Sequence, residues 1–365
     1  MRILLVDRED ANARPGGDSV VVAETAAFLR AAGHRVEIGP RVSSAASFDA
    51  VHLFNLTRPE GALAAARAAR AARTPYFLTP IYWDLIDGVP WQAYEFPRSL
   101  RIRWTPSSLR RRGRRPPFPD ERALQAEILT FAQSVFPASE AERRHLLDRF
   151  GSVLRSDRVV VSPHGVERPA TTQPPGMATT QPPGMDGGAL VCAGAIGPRK
   201  NQLGLVRALT ETPSVDLRIV GDVARGAERY ARAVERTAGP NVRFESAVPR
   251  DRIGDQLANA AAVVQPSFVE TPGLAAMEAR TLGRPIVVSA FPPVRETFGD
   301  DPLVFYCDPL VPDSIRSACR AALDAAPDDG RAFAADRTWG ILLAPLATAY
   351  AELANATAPP SPARP

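Results

Sequence analysis

Two glutamates, Glu270 and Glu278, stand in the segment Pro266-Ser-Phe-Val-Glu270-Thr-Pro-Gly-Leu-Ala-Ala-Met-Glu278-Ala. The apolar run Ala261–Gln265 before them predicts a strand. Thr271 and Pro272 predict the cap and first turn of a helix that continues to about Leu282 and stops at Gly283. Glu270 then lies in the loop ahead of the helix, and Glu278 about two turns further on. Between them, around Gly273 and Leu274, backbone N–H groups lack helical acceptors and favour an anion. Gly273 carries no side chain where a phosphate would approach. One short segment thus offers two acceptors for hydroxyls and a cradle for phosphate. Two glutamates at this spacing more often lie on a solvated helix face; the strand, the cap and the glycine argue against that here.

A second segment, Cys192-Ala-Gly194-Ala-Ile-Gly197-Pro-Arg199-Lys200-Asn201-Gln, follows a predicted strand at Ala189–Ala193 and opens a helix at Leu203–Leu209, with Asn201 as N-cap. Lys200 is the single lysine among 44 Lys+Arg. Lysine and arginine beside free amides at a helix start suit a diphosphate. The glycines do not fit the GxxxxGK[ST] loop, which excludes an ordinary P-loop ATPase, and no GxGxxG follows Val6. The cysteines Cys192, Cys307 and Cys319 and the four histidines show neither metal-ligand nor disulfide spacing. No metal and no cofactor is expected, since the cations already present can balance a diphosphate.

These segments need a scaffold, and 365 residues suffice for two domains. Hydrophobic residues at 45% and charged residues at 23% exclude a disordered or fibrous chain. Strand and helix signals alternate from Ile3–Val6 to Tyr76–Thr79 and restart at Ala189–Ala193, which predicts an α/β protein with two doubly wound, Rossmann-like domains and a ligand cleft between them. The expected division is an N-terminal acceptor-side domain at 1–167 with an irregular insertion at 80–120, a proline-rich linker at 168–188, and a C-terminal nucleotide-sugar domain at 189–336. A terminal helix at 337–356 is expected to pack back on the first domain, ahead of a disordered tail at 357–365. The linker holds Ala170–Met177 repeated unchanged as Ala178–Met185, too short for a solenoid unit. A net charge of +4 does not imply nucleic acid. No apolar stretch spans a membrane, and Met1–Asp7 reads as a buried strand, not a signal peptide, so a cytoplasmic location is expected. The cluster Arg110–Arg115, flanked by Trp104 and Phe118, reads first as a solvated loop and second as a contact for an anionic membrane surface, placing the protein peripherally on the inner face.

On these residues the chain resembles glycosyltransferase family 4, retaining enzymes of the GT-B fold. The hallmark is a serine at a strand end, then Glu, seven residues and Glu: here Ser267, Glu270 and Glu278. Leu217-Arg-Ile-Val-Gly221-Asp222, Gly283-Arg-Pro-Ile-Val-Val-Ser, Glu296 after Pro292-Pro293, the turn Ser162-Pro-His164-Gly165-Val-Glu167 and the pair Gly16-Gly17 also match. The resemblance implies a transferase that moves a sugar from a nucleotide-sugar donor to an acceptor hydroxyl with retention, in cell-surface glycan or glycolipid synthesis. It implies that Glu270 contacts sugar hydroxyls and Glu278 the ribose. Lys200, with Arg199, would neutralise the leaving diphosphate, while Gly273 and Leu274 offer amides to phosphate. Gly16 and Gly17 would line the cleft opposite. The acceptor stays open among a glycan, a lipid-linked glycan and a small molecule. Two positions depart from the family: Ala195 stands where an arginine is usual, and Thr79-Pro-Ile-Tyr82-Trp83-Asp84 lacks the family's histidine. Two other readings stay open: a non-catalytic GT-B relative serving as a binding subunit, which these departures favour, and a two-domain sugar-nucleotide epimerase, against which the scarcity of histidine argues.

Overall fold

The computed structural model describes residues 1–11, 16–40, 45–83, 121–172 and 188–357. The arginine cluster at 110–115, most of the insertion at 80–120, the repeat from residue 173 onward and the tail from residue 358 lie outside them. Among the described residues two compact units form. One takes Met1–Tyr82, 121–165 and 337–357; the other takes Trp83 and Val166–Asp336.

The first unit is a parallel sheet of β1 (Arg2–Val6), β2 (Arg35–Gly39), β3 (Ala50–Phe54) and β4 (Tyr76–Thr79) in the order β2-β1-β3-β4. Single parallel bridges at Val135 and Val159 continue beyond β4. The sequence predicts short strands at 134–137 and 159–162; Pro137 has no N–H to donate, and its carbonyl still accepts the Ser162 N–H at 2.9 Å, so the pairing there is partial. Helices α1 (Gly17–Ala31), α2 (Pro59–Ala71), α3 (Glu121–Phe131) and α4 (Glu140–Phe150) complete this part. On α2 the alanines Ala62, Ala65, Ala66 and Ala69 join Val51, Leu53 and Leu78 in one core. Ser139 caps α4 by accepting the Glu142 N–H at 3.0 Å.

The second unit alternates strictly: β5 (Leu190–Ala193), α5 (Gln202–Leu209), β6 (Leu217–Val220), α6 (Glu228–Thr237), β7 (Val242–Glu245), α7 (Ile253–Ala258), β8 (Ala262–Gln265), α8 (Leu274–Thr281), β9 (Ile286–Ser289), α9 (Pro292–Phe298), β10 (Val304–Cys307), α10 (Pro312–Asp324) and α11 (Arg331–Ala334). The six strands are parallel in the order β10-β9-β8-β5-β6-β7. Strands β5, β8 and β9 are buried throughout, as a sheet covered on both faces requires. Leu190 and Cys192 enter one core and Val191 and Ala193 the other, the period-two alternation of a strand. Counted from β5, the strands run 3-2-1-4-5-6, so the winding reverses between β5 and β8. Ligands bind outside the carboxyl ends of strands at such a reversal.

The chain then rejoins the first unit as α12 (Trp339–Leu342) and α13 (Ala344–Thr357). The single helix expected from residue 337 is broken, because Pro345 has no N–H for the Ile341 carbonyl. Tyr350 of α13 is fully buried. Its hydroxyl lies 3.0 Å from Nδ1 of His52 in β3, whose Nε2 lies 2.9 Å from Oγ1 of Thr79 in β4. The imidazole also stacks on Phe54 with centroids 4.6 Å apart. Burial pushes its pKa down to about 3, so His52 is a neutral core residue that ties the terminal helix to the sheet.

Candidate functional site

Strand β5 ends at Ala193, and the chain turns through Gly194 into the short 3-10 turn Pro198–Lys200. Gly194 and Gly221 pass so closely that a Cβ on Gly221 would lie 2.2 Å from the Gly194 carbonyl oxygen. Asn201 follows in the left-handed region at φ 57°, one of the few such non-glycine residues here. Its side chain does not cap α5. Its Nδ2 donates instead to the carbonyls of Pro266 at 3.1 Å and Pro309 at 2.8 Å. The Phe268 N–H donates to the Arg199 carbonyl at 2.9 Å, and Arg199 Nη1 to the Val269 carbonyl at 3.0 Å. The loop after β5 is therefore laced to the loop after β8 across the reversal of winding.

That lacing brings Lys200 and Glu270 together. Nζ of Lys200 lies 2.5 Å from Oε2 of Glu270, and Nη1 of Arg199 lies 3.3 Å from Oε1. Ser267 donates to Oε2 at 3.0 Å. Exposure of the side chains is 15% for Lys200 and 11% for Glu270, so the pair is poorly screened. Burial pushes the Glu270 carboxyl upward. The charges of Lys200 and Arg199, with the hydrogen bonds from Lys200 and Ser267, outweigh it and hold the pKa at about 2. Cys192 lies within reach of the same charges, but burial pushes its thiol up to about 12, and it offers no thiolate.

Helix α8 begins at Leu274, later than the sequence predicts. Its N-cap is Gly273 at φ 99°, and Thr271 and Pro272 stay in the loop. A left-handed residue suits glycine. A Cβ there would also meet Cγ of Glu270 at 3.0 Å and Oε1 of Gln265 at 3.2 Å. The first-turn N–H groups of Leu274 and Ala275 have no acceptor among the described residues. They present partial positive charge near the Lys200–Glu270 pair.

Glu278 does not join that pair. It lies on α8, buried, and its Oε1 accepts from Nη2 of Arg250 in the loop after β7. Gly16 and Gly17 belong to the first unit, where Gly17 opens α1. The structure therefore gathers Arg199, Lys200, Glu270, Gly273 and Leu274, and sets Glu278 beside a cation of its own.

Three contributors escaped the sequence. Gln265 donates from Nε2 to the Ala193 carbonyl at 2.9 Å, bridging the ends of β5 and β8. Its Oε1 is buried, faces Gly273 and has no partner among the described residues. The second is a role and not a residue: the sequence names Ser267 in the motif but not its donation to Glu270. Arg250 is the third, and nothing in its local sequence sets it apart from the many other arginines.

Residues 182–328 match the family model described as glycosyl transferases group 1. A D-inositol 3-phosphate glycosyltransferase of Frankia alni is 26% identical over 334 residues, covering 78% of this chain and 80% of that protein. Among solved structures, sucrose-phosphate synthase from Thermosynechococcus elongatus aligns over 98% of this chain and 100% of its own with a TM-score of 0.73 at 17% identity. Anabaena HepE, solved with UDP and glucose, aligns over 96% of this chain and 99% of its own with a TM-score of 0.68 at 16% identity. The fold is GT-B. The stretch that matches the group 1 model holds the Lys200–Glu270 pair. No helix among the described residues is long and apolar enough to cross a membrane.

Proposed function

We propose that this chain is a glycosyltransferase that moves a sugar from a nucleotide-sugar donor to an acceptor hydroxyl with retention of anomeric configuration. The observation that supports it most is the Lys200–Glu270 pair, seated where the winding reverses in the group 1 domain. The relatives agree in kind: HepE holds UDP with glucose in its structure, and the Frankia protein is named as a glycosyltransferase.

Each group then has a task. In transfer, the bond from the sugar's anomeric carbon to the diphosphate oxygen breaks and a bond to the acceptor oxygen forms. The acceptor's proton passes to the departing diphosphate. Negative charge therefore grows on the diphosphate, and positive groups fixed beside it lower the barrier. Lys200, Arg199 and the amides of Gly273 and Leu274 are those groups. Glu270 stays ionised and accepts from sugar hydroxyls, orienting the ring. Glu278 accepts from the ribose. Gly16 and Gly17 leave room for the donor's sugar-phosphate part. The acceptor is a hydroxyl on a glycan, a lipid-linked glycan or a small polyol, in cell-surface glycan or glycolipid synthesis. The proposal extends to a peripheral membrane contact through Arg110–Arg115, the second of the two readings of that cluster.

The test is to incubate the full chain with UDP-, GDP-, ADP- and dTDP-hexoses plus inositol phosphate, free sugars and lipid-linked glycans. Nucleotide release and the anomeric configuration of the product are followed by NMR. Acceptor-dependent release with retained configuration is expected, and Glu270→Gln should lower turnover while nucleotide still binds. Binding of a nucleotide sugar without transfer to any acceptor would favour the binding-subunit reading instead.

A further inference from the structure

The more deeply buried of the two glutamates, Glu278, has only 3% of its side chain exposed, against 56% for its partner Arg250. Arg250 opens the 3-10 turn Arg250–Arg252, between β7 and α7, and reaches Glu278 from the solvent side. Arg250 engages Oε1; Oε2 has no partner among the described residues.

The charges on this part of the second unit explain why that contact matters. Lys200 and Arg199 both sit on Glu270, so neither serves Glu278. Position 195, between Gly194 and Ile196, holds alanine and supplies no charge. Of Lys200, Arg199 and Arg250, it is Arg250 that meets Glu278. Without Arg250 the buried Glu278 carboxylate loses the cation that meets it, beside a ligand that is itself anionic. A buried unpaired charge is strongly unfavourable, and a second anion nearby adds repulsion.

We propose that Arg250 is the charge-balancing residue of the donor site, a proposal that rests on the donor reading above. By neutralising Glu278 it lets α8 hold a nucleoside diphosphate, and by taking only Oε1 it leaves Oε2 to the ribose hydroxyls. Arg250 is a positioning residue: it acts through Glu278 and not on the phosphates.

The experiment titrates full-length wild type, Arg250→Ala, Arg250→Lys, Glu278→Gln and the Arg250→Ala/Glu278→Gln double variant with UDP, GDP, ADP and dTDP by calorimetry. The diphosphate that binds best is then compared with its monophosphate and its nucleoside. Melting temperatures check folding, which the exposed position of Arg250 should preserve. Arg250→Ala should weaken the diphosphate roughly tenfold, the monophosphate less and the nucleoside about twofold at most. Lysine at 250 should restore most of the affinity. In the Glu278→Gln background the same truncation should change affinity by about twofold or less, because the charge it balances is gone. Equal losses for diphosphate and nucleoside, tighter binding by Arg250→Ala, or an undiminished loss in the Glu278→Gln background would each overturn the proposal. If the wild type binds none of the four diphosphates, the donor reading itself fails. Unchanged diphosphate binding by Arg250→Ala would instead refute only the role of Arg250.

Discussion

Where the winding reverses in the second unit, Lys200, Arg199 and Glu270 meet at the ends of β5 and β8. The first unit reverses between β1 and β3, and polar groups meet there too. Arg8 Nε lies 2.6 Å from Asp18, its Nη1 lies 2.7 Å from Asp10, and Asn55 donates to Asp18 at 3.2 Å. Among the described residues that cluster joins Arg8 to Asp10 and Asp18, with the neutral amide of Asn55 on Asp18. In the second unit cations and free helix amides face few carboxylates, which leaves capacity for an anion. The same topology thus serves two electrostatic ends, and local side chains decide which. Histidine divides the units as well. His34, His52, His145 and His164 all lie in the first. His52 and His164 are buried there, with burial lowering their pKa to about 3 and about 4.

The largest effect that separates the units should come from His52→Ala. It removes a buried ring packed on Phe54 and cuts both links to Tyr350 and Thr79, at a cost of roughly 3 kcal/mol. Urea unfolding should show that loss, while nucleotide binding by the second unit persists at temperatures where the variant is folded. Loss of binding in folded protein would break the separation.

Acid should act next, and on the first unit. His52 and His164 have folded pKa values below the ordinary 6.5, so their contribution is present above pH 6.5 and is lost as pH falls toward 4 and 3. Glu142 works the other way. Burial raises its pKa to about 7, against the two backbone N–H groups of Tyr82 and Ala138 that it accepts, so its contribution grows as pH falls from 7 to 4.5. At about 1.4 kcal/mol per unit, two histidines outweigh one carboxyl, leaving a net loss of about 2 kcal/mol near pH 4.5. Glu270, held at about 2, keeps its contribution above pH 4.5 and loses it only as pH falls toward 2. Hydrogen exchange between pH 6.5 and 4.5 should therefore lose protection in β3, β4 and α13 before β5 and β8. The reverse order would contradict the assignment.

Gly273→Ala places a side chain at φ 99° and against Glu270, which should cost about 1 to 2 kcal/mol and weaken nucleotide binding by calorimetry. The smallest effect belongs to Tyr350→Phe. Removing the hydroxyl leaves Nδ1 of His52 without its partner and should cost about 1 kcal/mol in the first unit alone. A change in nucleotide affinity from that variant would show coupling that the comparison denies.

The contrast also marks what the residues disclosed in advance. Short apolar runs announced most strands, because β5, β8 and β9 are buried on both faces and tolerate only such runs. Strand β10 gives a weaker signal, because its Phe305 and Tyr306 are only partly buried at the edge of the sheet. The start of α8 was misplaced, since Thr271 and Pro272 have the right types for a cap, whereas close contact with Glu270 and Gln265 moves the cap to Gly273. Lys200 was legible because lysine is otherwise absent. The role of Asn201 was not, because its two acceptors come from loops 65 and 108 residues away. Arg250 stayed hidden for the same reason, 28 residues from the carboxylate it meets.

Turnover of a nucleotide sugar by Lys200→Ala, measured as nucleotide release beside wild type, tests most directly whether the second unit is the anion-handling half of a transferase. If Lys200 stabilises the leaving diphosphate, kcat should fall by roughly a hundredfold or more while the melting temperature shows a folded protein. Unchanged kcat and KM would contradict it.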